Sequence, residues 1–192
     1  MKNTARLVEV DKEWSIEDFE ELAERDPWRA LAVAVNQNLE KEYFVRGFEK
    51  AVNSGNLRCA IEFAVRKGLG KKYFIRGVMK ALEARNYDHA LEFIERGDLD
   101  WGFYGLGFAE AIKNKDFYHA LEFAERGNLS REFYEEGFRE ALGEKNFDAA
   151  LKFLQRGNFD SLPETNSLIP VGNIRVREKE IPIYFTPKVT ER

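Results

Sequence analysis

Apolar residues in this chain recur at intervals of three and four, and the whole pattern then recurs every 30 residues. Within residues 69–98, Phe74, Val78, Ala81 and Leu82 make one stripe, and Tyr87, Ala90, Leu91 and Ile94 make a second. That spacing belongs to amphipathic helices and not to strands, which alternate. The same arrangement returns at 99–128 and 129–158, and a looser copy precedes it at 39–68, with no insertion between copies. Units of this length, laid end to end, bury their apolar faces only against their neighbours. The prediction is an all-α fold, a right-handed α-α superhelix (solenoid) of antiparallel helix pairs, ending in a non-helical C-terminal tail.

Polar punctuation divides each copy into two helices. Leu39/Phe44, Leu69/Phe74, Leu99/Tyr104 and Leu129/Tyr134 have the spacing of a hydrophobic staple around a helix start. Gly70, Asp100 and Ser130 stand at the cap position between them; the last two are good cap residues, and Glu40 is a poor one. The first helix is expected to reach about Ala84. Asn56, Asn86, Asp116 and Asn146 are expected to cap the second helix, which ends near Gly97, Gly127 and Gly157, where glycine suits the left-handed position. In the first copy this glycine is shifted by one, to Gly68.

Gly47, Gly77, Gly107 and Gly137 fall in the middle of first helices. A mid-helix glycine costs roughly 1 kcal/mol against alanine, so a fourfold recurrence needs a cause. Each has an alanine four residues on (Ala51, Ala81, Ala111, Ala141), and each second helix carries Ala60, Ala90, Ala120 or Ala150. Small residues on facing stripes predict close approach of two helix backbones. Paired helices with small residues where they cross and aromatics flanking them resemble the tetratricopeptide family, here with an atypical 30-residue period. The resemblance implies binding of a protein or peptide on the concave side lined by first helices.

Three segments follow. Residues 1–38 read as an N-terminal stretch and a degenerate capping repeat, with Ser15 and Asp18 resembling a capping box and Asp26-Pro27 opening a second helix. Their 9 acidic against 5 basic residues suit a polar solenoid end. Residues 39–158 are the four repeats. Residues 159–192 form an extended tail, in which Ile174/Val176 and Ile181/Ile183 alternate as short edge strands do. Three fates are open to it: docking on the last repeat, disorder, or reaching another subunit in a homo-oligomer. Ile181, Ile183, Tyr184 and Phe185 weigh against disorder.

The chain of 192 residues is 44% hydrophobic and 33% charged, with one cysteine and two methionines. That mix resembles hyperthermophile proteins, which favour surface ion networks and avoid labile side chains. Neither a signal peptide nor an apolar run long enough for a membrane is visible, so the expected location is the cytoplasm. No His-Glu-x-x-His, Cys-x-x-Cys, Gly-x-Ser-x-Gly or phosphate loop occurs. Gly68-Leu-Gly-Lys-Lys72 reads as one helix ending and the next beginning. His89 and His119, at one repeat position shared with Cys59, are expected to meet the capping side chains three residues earlier. No cofactor, metal or catalytic residue is expected.

Charge is what changes along the repeats, whose net charges run +2, +1, −2 and −1. Arg46, Lys50, Lys72, Arg76 and Lys80 make the first helices of copies one and two basic. Trp101, Tyr104 and Leu106 place aromatic and apolar residues on copy three, and Glu132 and Glu136 make copy four acidic. These residues are the expected partner-binding surface of a non-catalytic interaction scaffold, holding a protein or peptide of opposite polarity. The alternative is a nucleic-acid binder using the basic face with stacking near Trp101 and Tyr104. The overall charge of −4 argues against a long nucleic-acid track.

Overall fold

A computed structural model describes residues 13–159, 169–176 and 179–185. The expectations for the first 12 residues and for 160–168, 177–178 and 186–192 lie outside the described residues. Among those described, ten helices follow one another: α1 (Ile16–Arg25), α2 (Pro27–Asn36), α3 (Lys41–Asn53), α4 (Leu57–Arg66), α5 (Lys71–Glu83), α6 (Tyr87–Arg96), α7 (Trp101–Lys113), α8 (Phe117–Arg126), α9 (Arg131–Gly143) and α10 (Phe147–Arg156). The body is all-α, a helical repeat whose neighbouring pairs pack in sequence order. Beyond it, β1 (Ile169–Val176) and β2 (Lys179–Phe185) pair antiparallel.

Two compact units divide within α7, after Phe103. In the first, α1 lies against α2 and α3, α2 against α4, and α4 against α6. In the second, α8 lies against α9 and α10, and α9 against α10.

The turns explain why each pair closes so tightly. After α5 the amide of Arg85 donates to the Leu82 carbonyl (3.0 Å) and that of Asn86 to the Ala81 carbonyl (2.8 Å). This is the Schellman arrangement, with Arg85 left-handed at φ 54°. The Asn86 side chain then accepts from the His89 amide and caps α6, so one residue finishes a helix and starts the next. Asn56, Asp116 and Asn146 cap α4, α8 and α10 in the same way. At the N-terminal end, Ser15 accepts from the Asp18 amide and Asp26 from the Arg29 amide, as their spacing predicts.

Three local expectations need correction. The left-handed residue after each second helix is not Gly97, Gly127 or Gly157 but the next one: Asp98 (φ 46°), Asn128 (φ 45°) and Asn158 (φ 52°). Gly97 itself has φ −84°; it is small because a β-carbon there would stand 2.7 Å from Cγ of Phe74. Gly68 (φ 57°) alone puts glycine at the left-handed position of these second-helix ends. Secondly, the mid-helix glycines do not bring two bare backbones together. A β-carbon on Gly47, Gly77, Gly107 or Gly137 would penetrate the ring of Phe63, Phe93, Phe123 or Phe153, each fully buried. Thirdly, Ser130 makes no side-chain cap on α9; its hydroxyl donates instead to Glu132.

Aromatic rings also link successive first helices. Phe19 of α1 meets Tyr43 of α3, Phe48 of α3 meets Tyr73 of α5, and Phe108 of α7 meets Phe133 of α9. All are edge-to-face, with centroids 5.2, 5.4 and 5.1 Å apart. Such pairs contribute about 0.5–1.5 kcal/mol beyond their buried area.

Candidate interaction surface

In the first unit, stacking α1, α3 and α5 leaves a concavity of about 570 Å³ over α3. Its lining is Val45, Arg46, Glu49, Lys50 and Asn53 of α3, with Lys41 and Glu42 at that helix's start, Glu20 of α1 and Tyr73 of α5. Two of the basic residues expected from the sequence, Arg46 and Lys50, thus fall in one depression. The helical repeat places them there, because residues four apart on α3 share a face.

The basic residues are not free charges. Arg46 reaches Glu20 (3.2 Å) and Glu42 (3.3 Å). Lys50 bonds Glu24 and lies 3.5 Å from Glu20. Arg76 of α5 reaches Glu49 (2.7 Å) and Asn53 (3.4 Å) of α3. Lys80 pairs with Glu83 at 2.7 Å, and the Lys72 ammonium lies 4.9 Å from the Tyr73 ring centre. Arg46, Lys50 and Arg76 form a ladder in which α3 offers cations to carboxylates of α1, and α5 to a carboxylate of α3. The hydrogen bond that Lys50 donates to Glu24, with the charges of Glu24 and Glu20, outweighs burial and raises the Lys50 ammonium above its ordinary range.

Glu20, Glu24 and Glu49 are the participants that the sequence did not single out. Their signal was present as spacing: Lys50 and Glu24 are 26 residues apart, one period less one helical turn. Val45 and Tyr73 were likewise unselected; they supply the apolar part of the depression.

Trp101 opens α7 with 67% of its surface exposed. In the second unit Leu106 is 37% exposed, whereas Tyr104 is half-buried, its side chain closing over Gly127. Glu132 and Glu136 are both exposed on α9. The Ser130 hydroxyl and its own backbone amide hold Glu132 below the usual carboxylate range. Glu136 has no ion-pair partner among the described residues. The second unit has its own depression of about 480 Å³ between the starts of α8 and α10, with Tyr118, Leu121, Ala149 and Lys152 in its lining. Tyr118 is 71% exposed.

The candidate reactive groups have structural roles. His89 places Nδ1 2.8 Å from the Asn86 side-chain oxygen, and His119 places Nδ1 2.8 Å from that of Asp116. Both pairings are the cap contacts expected from their spacing. Cys59 is fully buried, and that burial, helped by Asp26 and Glu62, pushes its thiol up to about 12; a thiol so held stays protonated and unreactive at neutral pH. No helix among the described residues is long and apolar enough to cross a membrane.

Comparison with family models, with curated proteins and with solved structures gives no match.

Proposed function

We propose that the chain is a non-catalytic interaction scaffold that holds a segment of a partner protein against its first-helix face. The observation that carries this reading is the depression over α3, built on three successive first helices and combining Val45 and Tyr73 with a rim of paired charges. An apolar patch within such a rim suits a peptide that buries one or two side chains and exchanges hydrogen bonds with the rim. The likeness of the helix pairs to tetratricopeptide-like repeats, which bind peptides on this side, supports the same reading. Trp101, Leu106 and the acidic Glu132 and Glu136 are proposed as further contacts. Trp101 carries the most weight because so large an exposed ring contributes nothing to the core.

Internal pairing counts against a nucleic-acid track, because Arg46, Lys50 and Arg76 already face carboxylates that would repel phosphates. The test is to pan an immobilised chain against a library of random linear peptides and, in parallel, a pool of random single-stranded oligonucleotides. Enriched peptides whose affinity drops at least about tenfold on Val45→Arg or Trp101→Ala, or about 1.4 kcal/mol, would support the scaffold. Enrichment of oligonucleotides alone, with binding that falls steeply as salt rises, would overturn it.

A further inference from the structure

We infer that the β1–β2 hairpin is the missing cover of the last repeat, packing on the open face of α10 in the same chain. The first observation is an interrupted burial pattern. Leu57, Tyr87 and Phe117 begin the second helices of the first three repeats and are 4%, 3% and 5% exposed. Phe147 begins α10 at the same repeat position and is 48% exposed. Four residues on, the pattern is graded and not abrupt: Ile61 and Leu91 are each 1% exposed, and Leu121 and Leu151 are both half-buried, so Phe147 is the position that marks the last repeat. α4 has α6 against it and α8 has α10, whereas α10 has no following helix among the described residues. A large aromatic at an interface position with no neighbour is the face a solenoid end must cover.

The second observation is the hairpin's register. Ile174 stands opposite Ile181, Gly172 opposite Ile183 and Ile169 opposite Phe185, with a bulge near Val171. Strand alternation therefore gathers Ile169, Ile174, Val176, Ile181, Ile183 and Phe185 on one face, with Lys179 at its turn end. Asn173, Arg175, Glu180, Tyr184 and the prolines Pro170 and Pro182 fall on the other. An isolated two-stranded hairpin is marginal in water and needs a hydrophobic face covered. One uncovered apolar face and one amphipathic hairpin thus occur in the same unit.

Reach completes the argument. Phe159 is buried at the end of α10, its ring beneath the Arg131 guanidinium at 4.8 Å. The chain from there to Ile169 spans at most about 35 Å when fully extended. A ten-residue helix such as α10 is about 15 Å long. The tether is long enough to bring the hairpin alongside α10 as far as Phe147.

The full-length chain tests this in two ways. Ile181→Ser with Ile183→Ser should speed amide exchange in α9 and α10 about tenfold, as loss of a local cover does, and leave α3 to α6 unchanged as the control for folding. Exchange in α10 that is unaltered would overturn the proposal. In a Cys59→Ala background, Phe147→Cys with Ile183→Cys should form a disulfide within the monomer. A disulfide found only between differently tagged copies would overturn the assignment to the same chain and give the hairpin to a second copy.

Discussion

At the scale of single residues, the repeating glycines show how a side chain is selected by what faces it. Gly77 has no conformational need, because it lies mid-helix in α5. It is glycine because the Phe93 ring occupies the space a β-carbon would need, and that ring is fully buried. Gly77→Ala sets two effects against each other, a helix-propensity gain of about 1 kcal/mol and an overpacking cost of about 1–3 kcal/mol. The packing term wins because Phe93 is enclosed on all sides and has nowhere to swing. Urea denaturation should therefore show Gly77→Ala to be destabilised, whereas Gly143→Ala, where no atom lies within 4 Å of the added carbon, should be neutral or stabilised. Glycine in a helix was legible as a packing signal, but the object packed against was not. A ring ten or more residues away in sequence leaves no mark at the glycine itself.

At the scale of elements, the turns between helices are set locally and were largely legible. A cap residue directly before an apolar one, Asn56, Asn86, Asp116 or Asn146, predicted α4, α6, α8 and α10 with their first residues in place. The misplaced left-handed residue has a physical reason. Glycine is the usual occupant of that conformation, but here it was needed one position earlier to clear Phe74, Tyr104 or Tyr134. Asparagine and aspartate tolerate the left-handed region, so Asp98, Asn128 and Asn158 take it over. Lysine and arginine tolerate it less well, yet Arg85 (φ 54°), Lys115 (φ 61°) and Lys145 (φ 60°) adopt it after first helices. Lys115→Gly should accordingly raise stability by about 0.5–1 kcal/mol, the strain relieved being partly offset by the greater freedom of the unfolded chain. A thermal melt of Lys115→Gly against Lys115→Ala, which keeps the β-carbon and so should gain nothing, separates the two effects.

At the scale of the whole molecule, many of the charged residues that make up one-third of the chain are engaged in ion pairs, both along single helices, as Glu62 with Arg66, and between successive ones, as Glu49 with Arg76. In the first unit the pairs between helices run from α1 to α3 to α5. Single surface pairs contribute little, about 0–1 kcal/mol, and a linked set gains mainly by sharing partners, as Arg46 and Lys50 share Glu20. The Lys50 ammonium is raised above 10.5 in the folded chain. Its contribution is therefore fully present below the unfolded value and is lost as pH rises through the folded one. Stability of the chain should fall more steeply above about pH 10.5 than that of a Lys50→Met variant, as measured by chemical denaturation at successive pH values. An identical slope for both would remove the pairing as the cause.

What the sequence determined by itself was most of what is periodic or local: the helix pairs, their order, the caps of the second helices and the histidine contacts with those caps. These depend on interactions within a few residues or on a pattern repeated four times, and both are written along the chain. What only the tertiary structure decided was which charges were already spent. Arg46, Lys50 and Arg76 look like an available basic face when read along one helix. Their carboxylate partners lie one repeat upstream, and stacking alone brings them within 4 Å. The depression over α3, with Val45 and Tyr73 exposed to it, is likewise a product of stacking. Its lining comes from three helices, and no single helix carries its outline.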